Sequence, residues 1–216
     1  EAFSQWGITR TLEKLNGMFA IAVFDRKEHR LTLIRDRLGI KPLYWGETNG
    51  YLVFSSELKS FHHFKQWKPV LDRNSLASYM RHNYISAPHT IFKGMSKLEA
   101  GSILEVRPGG KIKTSRYWNL KEVAENNIKT RDTSSKDHLA RIESLISDSV
   151  RRRLVSDVPV GSLLSGGIDS SLVTALMAEN SKTKVKTFSV GFTDRGFNEA
   201  PFAREIASYL DTDHNE

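Results

Sequence analysis

Hydrophobic positions in the first quarter of the chain occur as short apolar runs separated by polar turns. Residues 18–24 (MFAIAVF) form a nearly continuous run, and its lack of polar alternation predicts a strand buried on both faces. Residues 31–34 predict the return strand, and residues 43–45 and 51–54 predict two more short strands. The simplest interpretation is that these four strands form one antiparallel sheet.

Two segments near these strands have apolar residues at the spacing of a helix. Residues 2–15 predict the end of a helix that Gly7 interrupts, and a short helix is predicted to begin near Asn74. Residues 102–106 and 111–118 predict a hairpin around a Pro-Gly-Gly turn. This part of the chain therefore mixes helices with antiparallel strands.

The pattern changes after residues 121–135, a polar stretch with the composition of a linker. Apolar residues between positions 139 and 154 recur at spacings of three and four, which predicts an amphipathic helix. An apolar strand at 158–164, a glycine turn and a helix follow. A strand over residues 185–192 and a helix capped by Asn198 come next. This alternation predicts a parallel α/β sheet, whose third strand is expected to be missing.

The composition is that of a folded protein without a membrane span. Of the 216 residues, 39% are hydrophobic and 26% are charged, and no apolar run approaches the ~18 residues of a spanning helix. Cysteine is absent, which excludes disulfides and thiolate metal sites within these residues and fits a cytoplasmic protein. The net charge of +7 is dispersed, and no aromatic residues interleave with the arginines at 151–153, so a nucleic acid partner is disfavoured.

The clearest chemical signal is the turn SGGIDS at residues 165–170, between a strand and a helix. Such a turn places backbone N–H groups and a helix N-terminus against an anion. Two adjacent glycines let the backbone approach a phosphate closely. Asp169 would repel a bare phosphate, so its expected role is to hold a Mg²⁺ that the phosphates also bind. The alternative is a tight connection in which serine and aspartate side chains only cap the helix.

Several separated stretches resemble one family. The run S-G-G-x-D-S resembles the pyrophosphate loop of ATP pyrophosphatases, and residues 158–171 look like the synthetase domain of the glutamine-hydrolysing asparagine synthetase family. Residues 15–45 (LNGMFAIAVFDRKEHRLTLIRDRLGIKPLYW) look like the second half of a class II glutamine amidotransferase domain. Residues 75–106 also resemble bacterial members, and the terminal DTDHNE is similar to a GTxHxE segment of the family.

The resemblance implies an α+β amidotransferase domain, with Ntn-type antiparallel sheets layered with helices, in residues 1–120. After a linker at 121–135, it implies an α/β parallel-sheet ATP-pyrophosphatase domain in residues 136–216, with both domains incomplete. The implied reaction converts aspartate to asparagine through β-aspartyl-AMP, with ammonia from glutamine. The resemblance also implies ATP and Mg²⁺ as cofactors, small-molecule substrates, a cytoplasmic homodimer, and no nucleic acid or membrane partner.

The family's functional residues are carried over position by position. Asp36, in the run RDRLG, matches the aspartate that binds glutamine; its alternative role is a strand-end partner of Arg35 or Arg37. Leu163 and Val190 match positions that line the adenine or ribose pocket through backbone groups, and their alternative is the core of a strand. The complete set of ATP-binding matches, of which Asp169 is also the Mg²⁺ ligand, is Leu163, Ser165, Gly166, Gly167, Asp169, Ser170 and Val190.

One departure from the family's pattern limits the expected activity. The amidotransferase nucleophile is an amino-terminal cysteine, and this sequence has none, so we expect that these 216 residues alone do not hydrolyse glutamine. We interpret the chain as an internal fragment; the alternative is a protein that uses free ammonia. The sequence also leaves open which carboxylate accepts the ammonia. A β-lactam synthetase-like relative would use another carboxylate, an ATP pyrophosphatase would act on transfer RNA, and a non-catalytic protein would retain only the fold.

Overall fold

The computed structural model describes most of the chain, namely residues 1–129, 138–194, 196 and 198–216. The chain divides into two compact units, Glu1–Arg131 (unit 1) and Asp132–Glu216 (unit 2). The division falls within the stretch predicted as a linker. Residues 121–129 of that stretch are helical, and residues 130–135 lie outside the described part. No helix in the described ranges combines the length and apolar character that a bilayer crossing requires.

Unit 1 contains two antiparallel sheets with helices. Its helices are α1 (Ala2–Lys14), α2 (Arg73–His82) and α3 (Leu120–Lys129). Its strands are β1 (Ala20–Asp25), β2 (Arg30–Arg35), β3 (Tyr44–Thr48), β4 (Tyr51–Ser55), β5 (Met95–Lys97), β6 (Ser102–Val106) and β7 (Ile112–Arg116). The first sheet has the order β1-β2-β6-β7 and the second the order β4-β3-β5. Antiparallel sheets with helices agree with the expected amidotransferase fold.

The four predicted strands of residues 18–54 are present, but they belong to two sheets rather than one. β1 pairs with β2 and β3 pairs with β4, as two hairpins. The second edge of β2 pairs with β6, where Leu33 lies opposite Leu104. These two leucines form a buried cluster with Leu43 and Leu98 from the chain around the second sheet. Separating the hairpins therefore buries apolar side chains between two layers, which one sheet of four strands would leave exposed.

Burial on both faces belongs to β2 rather than to β1, for which the apolar run predicts it. β1 lies at the edge of its sheet, and Phe24 is 57% exposed. In β2, Leu33 packs with Leu43 on one face, and Ile34 packs with Leu12 of α1 on the other. A strand has covered faces only where other elements lie over it, and an apolar run does not indicate how many do.

Unit 2 is built on a parallel sheet. Its helices are α4 (His138–Arg153), α5 (Ile168–Asn180) and α6 (Ala200–Tyr209), and its strands are β8 (Gly161–Leu163), β9 (Lys186–Phe188) and β10 (Asp213–Asn215). The strand order is β10-β9-β8, with both pairings parallel. The expectation that a third strand is missing is wrong, because β10 is that strand. Its sequence, Asp-His-Asn, has no apolar residue that would indicate a strand.

Two small cores hold unit 2 together. The first joins α4, α5 and the residue before β9, and consists of Val150, Leu176, Met177 and Val185. In the second, Ala203 and Ala207 of α6 pack on Leu164. Alanine side chains let α6 approach closely, which brings its first turn against the chain that leaves β8. The predicted amphipathic helix is α4, although Leu139 and Leu145 from its apolar stripe are 77% and 63% exposed.

Candidate functional site

The predicted phosphate loop, residues 165–170, connects the end of β8 to the first turn of α5. Ser165 and Ser170 hold this loop closed, because their hydroxyl oxygens are 3.0 Å apart. The amide of Ser165 donates to the Ser170 hydroxyl oxygen over 3.3 Å. The Ser170 hydroxyl lies 3.1 Å from the carbonyl oxygen of Gly167, to which it donates. The loop therefore has a preformed shape that depends on its own two serines.

Gly166 lies where the loop meets α6. Its φ of +80° is a conformation that residues with a side chain rarely adopt. A Cβ at this position would lie 2.6 Å from Cβ of Phe202 and 2.9 Å from the amide nitrogen of Ala203. The backbone conformation and the close approach to α6 thus each require glycine here.

Gly167 differs from its neighbour because the fold does not require a glycine at this position. Its φ of −73° and ψ of 160° suit any residue. A Cβ would meet only the Ser165 hydroxyl oxygen, at an ordinary contact distance of 3.4 Å. Gly167 is exposed, so the missing side chain leaves the outer surface of the loop accessible.

The first turn of α5 presents unpaired backbone donors. Among the described residues, none accepts a hydrogen bond from the amides of Ile168, Asp169 and Ser170. Unpaired amides and the positive end of the helix dipole together favour an anion. The Asp169 carboxylate is exposed beside them. No set of three histidine or acidic side chains converges within the described ranges, so a Mg²⁺ held by Asp169 would take its other ligands from phosphate oxygens and water.

A cavity of about 330 Å³, called the loop cavity below, opens beside the loop. Its lining residues are Leu163, Leu164, Ser165, Phe188, Ser189, Val190, Phe192, Glu199 and Ala200. Leu163 and Val190, predicted for the adenine or ribose pocket, are 79% and 71% exposed, so the alternative that they are core residues is wrong. The structure brings them together with Ser165 at the carboxyl ends of two parallel strands, where ligands bind in such sheets.

Buried hydroxyls attach α5 to β8 beneath the loop. The hydroxyl oxygens of Ser162 and Thr174 are 2.9 Å apart, and Thr174 donates to the carbonyl oxygen of Ser170 over 2.7 Å. A hydroxyl has one proton, so Thr174 accepts from Ser162 while it donates to Ser170. Thr174 is 0% exposed and Ser162 is 8% exposed. The start of α5 is therefore held on the strand by hydrogen bonds that water cannot replace.

Replacing Thr174 with valine should lower the free energy of unfolding of unit 2 by about 2 kcal/mol. Valine keeps the shape but leaves the Ser162 hydroxyl without a partner and removes the side-chain hydrogen bond that the Ser170 carbonyl accepts beside its helical one. Adding Ser162→Ala should recover part of the loss, because it removes the orphaned hydroxyl. Hydrogen exchange of the α5 amides would measure both effects. Unchanged exchange protection in the Thr174→Val variant would contradict this role for the hydroxyl.

Sequence reasoning does not identify a group of polar side chains behind the loop cavity. His214 of β10 lies with Nδ1 2.9 Å from Oγ1 of Thr187 and with Nε2 3.3 Å from Oγ of Ser189. Ser189 could be found from its place after a strand of an α/β pattern. For His214 the available signal is the resemblance of DTDHNE to the GTxHxE segment.

Asp36 lies at the end of β2 in unit 1 and is 1% exposed. Its carboxylate accepts hydrogen bonds from the amides of Ile40 and Lys41, each at 2.9 Å, and from the amide of Phe19 at 3.3 Å. These contacts hold the turn after β2 against the chain before β1. The geometry is that of a turn-stabilising carboxylate, and the glutamine-binding role of Asp36 stays a prediction.

The two flanking arginines bind main-chain carbonyls instead of pairing with Asp36. Arg35 is 8% exposed and donates to the carbonyl oxygens of residues 39, 41 and 98. Burial lowers the pKa of the Arg35 guanidinium, against the opposing effect of the nearby Asp36 carboxylate. Arg37 donates to the carbonyl oxygens of Leu12 and Leu15 at the end of α1. The alternative role predicted for Asp36, a partner of either arginine, is therefore wrong.

Family models match both units. Residues 1–118 match a model described as a glutamine amidotransferase domain, and residues 141–216 match one described as asparagine synthase. Glutamine-hydrolysing asparagine synthetase 1 of Bacillus subtilis is 38% identical over 197 residues, which cover 91% of this chain and 30% of that protein. Putative glutamine-hydrolysing asparagine synthetase 2 of Methanocaldococcus jannaschii is 33% identical over 208 residues, 94% of this chain and 39% of that protein.

The chain thus spans less than half the length of either curated relative. A solved structure titled as the allosteric regulatory enzyme of purine biosynthesis aligns with 93% of this chain and 47% of its own, at 15% identity and a TM-score of 0.37, a likeness too small to carry an argument. The amidotransferase match precedes the asparagine synthase match, which is the order that the sequence resemblance implies. The chain belongs to the asparagine synthetase family, with a glutamine amidotransferase domain at residues 1–118.

Proposed function

We propose that unit 2 holds the ATP-binding end of an amide-forming synthetase that converts aspartate to asparagine. The observation that carries the proposal is the loop at residues 165–170, which presents unpaired amides beside a cavity lined by Leu163 and Val190. The names of the relatives agree with this product. A capping turn would need neither the bare surface at Gly167 nor the adjoining cavity.

ATP would lie across the loop and the loop cavity. Its phosphates accept hydrogen bonds from the amides of residues 168–170, which Gly167 leaves accessible. Its base enters the loop cavity, where the backbone groups of Leu163 and Val190 bind the adenine or ribose and the rings of Phe188 and Phe192 supply apolar walls. Mg²⁺, held by Asp169, would neutralise phosphate charge that this carboxylate otherwise repels.

The proposed chemistry explains why a phosphate loop serves amide formation. A carboxylate is a poor acyl electrophile until one of its oxygens becomes a good leaving group. A β-carboxylate oxygen of aspartate attacks the α-phosphorus of ATP, and the bond to the bridging oxygen breaks to release pyrophosphate. Ammonia then attacks the acyl carbon of β-aspartyl-AMP, AMP leaves, and one proton is lost. The loop amides stabilise the charge that develops on the departing pyrophosphate.

Unit 1 would belong to the part that supplies ammonia from glutamine. Its family match supports this assignment, while the 216 residues contain no cysteine to serve as the nucleophile. The expectation that these residues alone do not hydrolyse glutamine therefore remains. Domain bounds at 1–120 and 136–216, a homodimer and a cytoplasmic location also remain predictions.

The test is exchange of labelled pyrophosphate into ATP by the full-length protein, with Mg²⁺ and with one candidate carboxylate at a time. Exchange that requires aspartate is the expected result. Exchange that requires a different carboxylate, such as a β-lactam precursor, would support the adenylating role of the loop and show that the acceptor is not aspartate. If no carboxylate supported exchange and the protein also failed to bind ATP, the assignment of the loop would be refuted. Removal of Mg²⁺ with a chelator should abolish exchange, and added Mg²⁺ should restore it.

A further inference from the structure

Behind the loop cavity, side chains from β9 and β10 form a hydrogen-bonded row. Nδ1 of His214 lies 2.9 Å from Oγ1 of Thr187, and its Nε2 lies 3.3 Å from Oγ of Ser189. Thr187 is 0% exposed, and the His214 side chain is 13% exposed. Ser189 lines the loop cavity. The ring thus connects a buried hydroxyl to the hydroxyl of a residue that lines the loop cavity.

The pairing of β9 with β10 does not depend on this ring. A parallel ladder joins the two strands, and the Ser189 amide extends it by donating to the carbonyl oxygen of Asn215 over 3.0 Å. Thr187 has a second partner, since its hydroxyl oxygen lies 2.8 Å from that of Thr212. The Ser189 hydroxyl, by contrast, has no partner other than His214 among the described residues. Loss of the ring would therefore release the Ser189 side chain first.

Nε2 of His214, the nitrogen near Ser189, also lies near Glu216, which is bound by α6, the helix that supports the loop at Gly166. Arg204 donates from Nε and an Nη to the two carboxylate oxygens of Glu216, at 2.8 and 2.7 Å. The hydrogen bonds from Arg204 lower the pKa of Glu216, whose Oε1 lies 3.8 Å from Nε2 of His214. Nε2 of His214 therefore has the Ser189 hydroxyl within hydrogen-bond distance and the Glu216 carboxylate just beyond it.

We propose that His214 is a positioning residue that orients the Ser189 hydroxyl in the loop cavity and so sets the affinity for ATP without contacting it. The inference rests on the proposed function, because it takes ATP as the ligand of this cavity. A neutral imidazole donates at one nitrogen and accepts at the other, so one tautomer serves both hydroxyls. A hydroxyl held in one orientation before binding loses less conformational freedom when the ligand arrives.

Two substitutions at position 214 separate the two hydrogen bonds. His214→Asn places an amide near the position of Nδ1, so it keeps the bond to Thr187 and cannot reach Ser189. His214→Gln has the longer side chain and reaches towards Ser189. In the full-length protein, His214→Asn should weaken Mg-ATP binding about five- to tenfold, the effect of one lost hydrogen bond, and His214→Gln should stay within about twofold. Titration calorimetry measures both affinities.

The test also distinguishes positioning from a purely structural role. Ser189→Ala should weaken ATP binding by the same factor as His214→Asn, and the double variant should bind no more weakly than either one. The rate of aspartate-dependent exchange at saturating ATP should change less than about twofold in all of them, because the affected step is binding. Equal ATP affinity of wild type and His214→Asn would overturn this inference and leave the proposed function standing. Failure of the wild type to bind ATP would overturn the proposed function itself.

Discussion

Replacing Gly166 with alanine should lower the free energy of unfolding of unit 2 by about 3 kcal/mol. The left-handed backbone at φ +80° accounts for about 1–2 kcal/mol of this loss. The remainder comes from the new Cβ, which would lie 2.6 Å from Cβ of Phe202 and 2.9 Å from the backbone nitrogen of Ala203. Both atoms belong to α6, so the helix itself must move. All four tryptophans, at positions 6, 45, 67 and 118, lie in unit 1, so hydrogen exchange of the β8–α5 amides is the suitable measurement.

Gly167→Ala is the matched control for this variant. Its backbone already suits alanine, and the nearest atom to a new Cβ is 3.4 Å away, so stability should change by less than about 1 kcal/mol. The methyl group would instead stand on the exposed surface of the loop, and pyrophosphate exchange should fall about 100-fold because the phosphates lose contact with the α5 amides. Equal stability of the two variants would contradict the role of Gly166. Full exchange activity of Gly167→Ala would contradict the phosphate loop.

Replacing Asp36 with asparagine should lower the free energy of unfolding of unit 1 by about 3 kcal/mol. The carboxylate accepts three backbone N–H groups while 1% exposed, and an asparagine amide supplies one acceptor oxygen and turns a donor group towards the others. Backbone amides that now donate to the buried carboxylate would then lack their partner. Tryptophan fluorescence during urea unfolding would report this change, because every tryptophan lies in unit 1.

Asp25→Asn provides the control for this second variant. Asp25 also accepts two backbone N–H groups, from Glu28 at 3.1 Å and Lys27 at 2.9 Å, which lower its pKa, but its side chain is 38% exposed. Water can replace its hydrogen bonds, so its unfolding transition should stay close to that of the wild type. If Asp36→Asn were as stable as the wild type and only weakened glutamine binding by the full-length protein, Asp36 would be a ligand-binding residue instead.

Local signals were sufficient for many elements of both units. The turn between β3 and β4 follows from Asn49-Gly50, since both residues have positive φ, 49° and 78°, as a two-residue hairpin turn requires. The break in α1 at Gly7, with φ 75°, follows from the same freedom of glycine. The loop at residues 165–170 is equally local, because its closing hydrogen bonds join Ser165 to Ser170. Each of these features depends on residues that are neighbours in the chain.

The assignment of strands to sheets depends on distant residues instead. β2 pairs with β6 across about 70 positions, and the register of Leu33 opposite Leu104 decides which faces are buried. β10 contains no apolar residue, and it becomes a strand because β9 offers it an unpaired edge. Propensity does not carry this information, since the free energy comes from contacts made only after folding.

By itself, the sequence determined that a glycine loop joins a strand to a helix in an α/β pattern, and that antiparallel hairpins precede it. These conclusions hold because turn geometry and periodicity act over a few residues. Tertiary structure alone decided that Gly166 supports α6 while Gly167 leaves the loop surface open, that Asp36 holds three amides, and that His214 lies behind Ser189. In each case the deciding partner lies far along the chain or in another element, and packing brings it within hydrogen-bonding or contact distance.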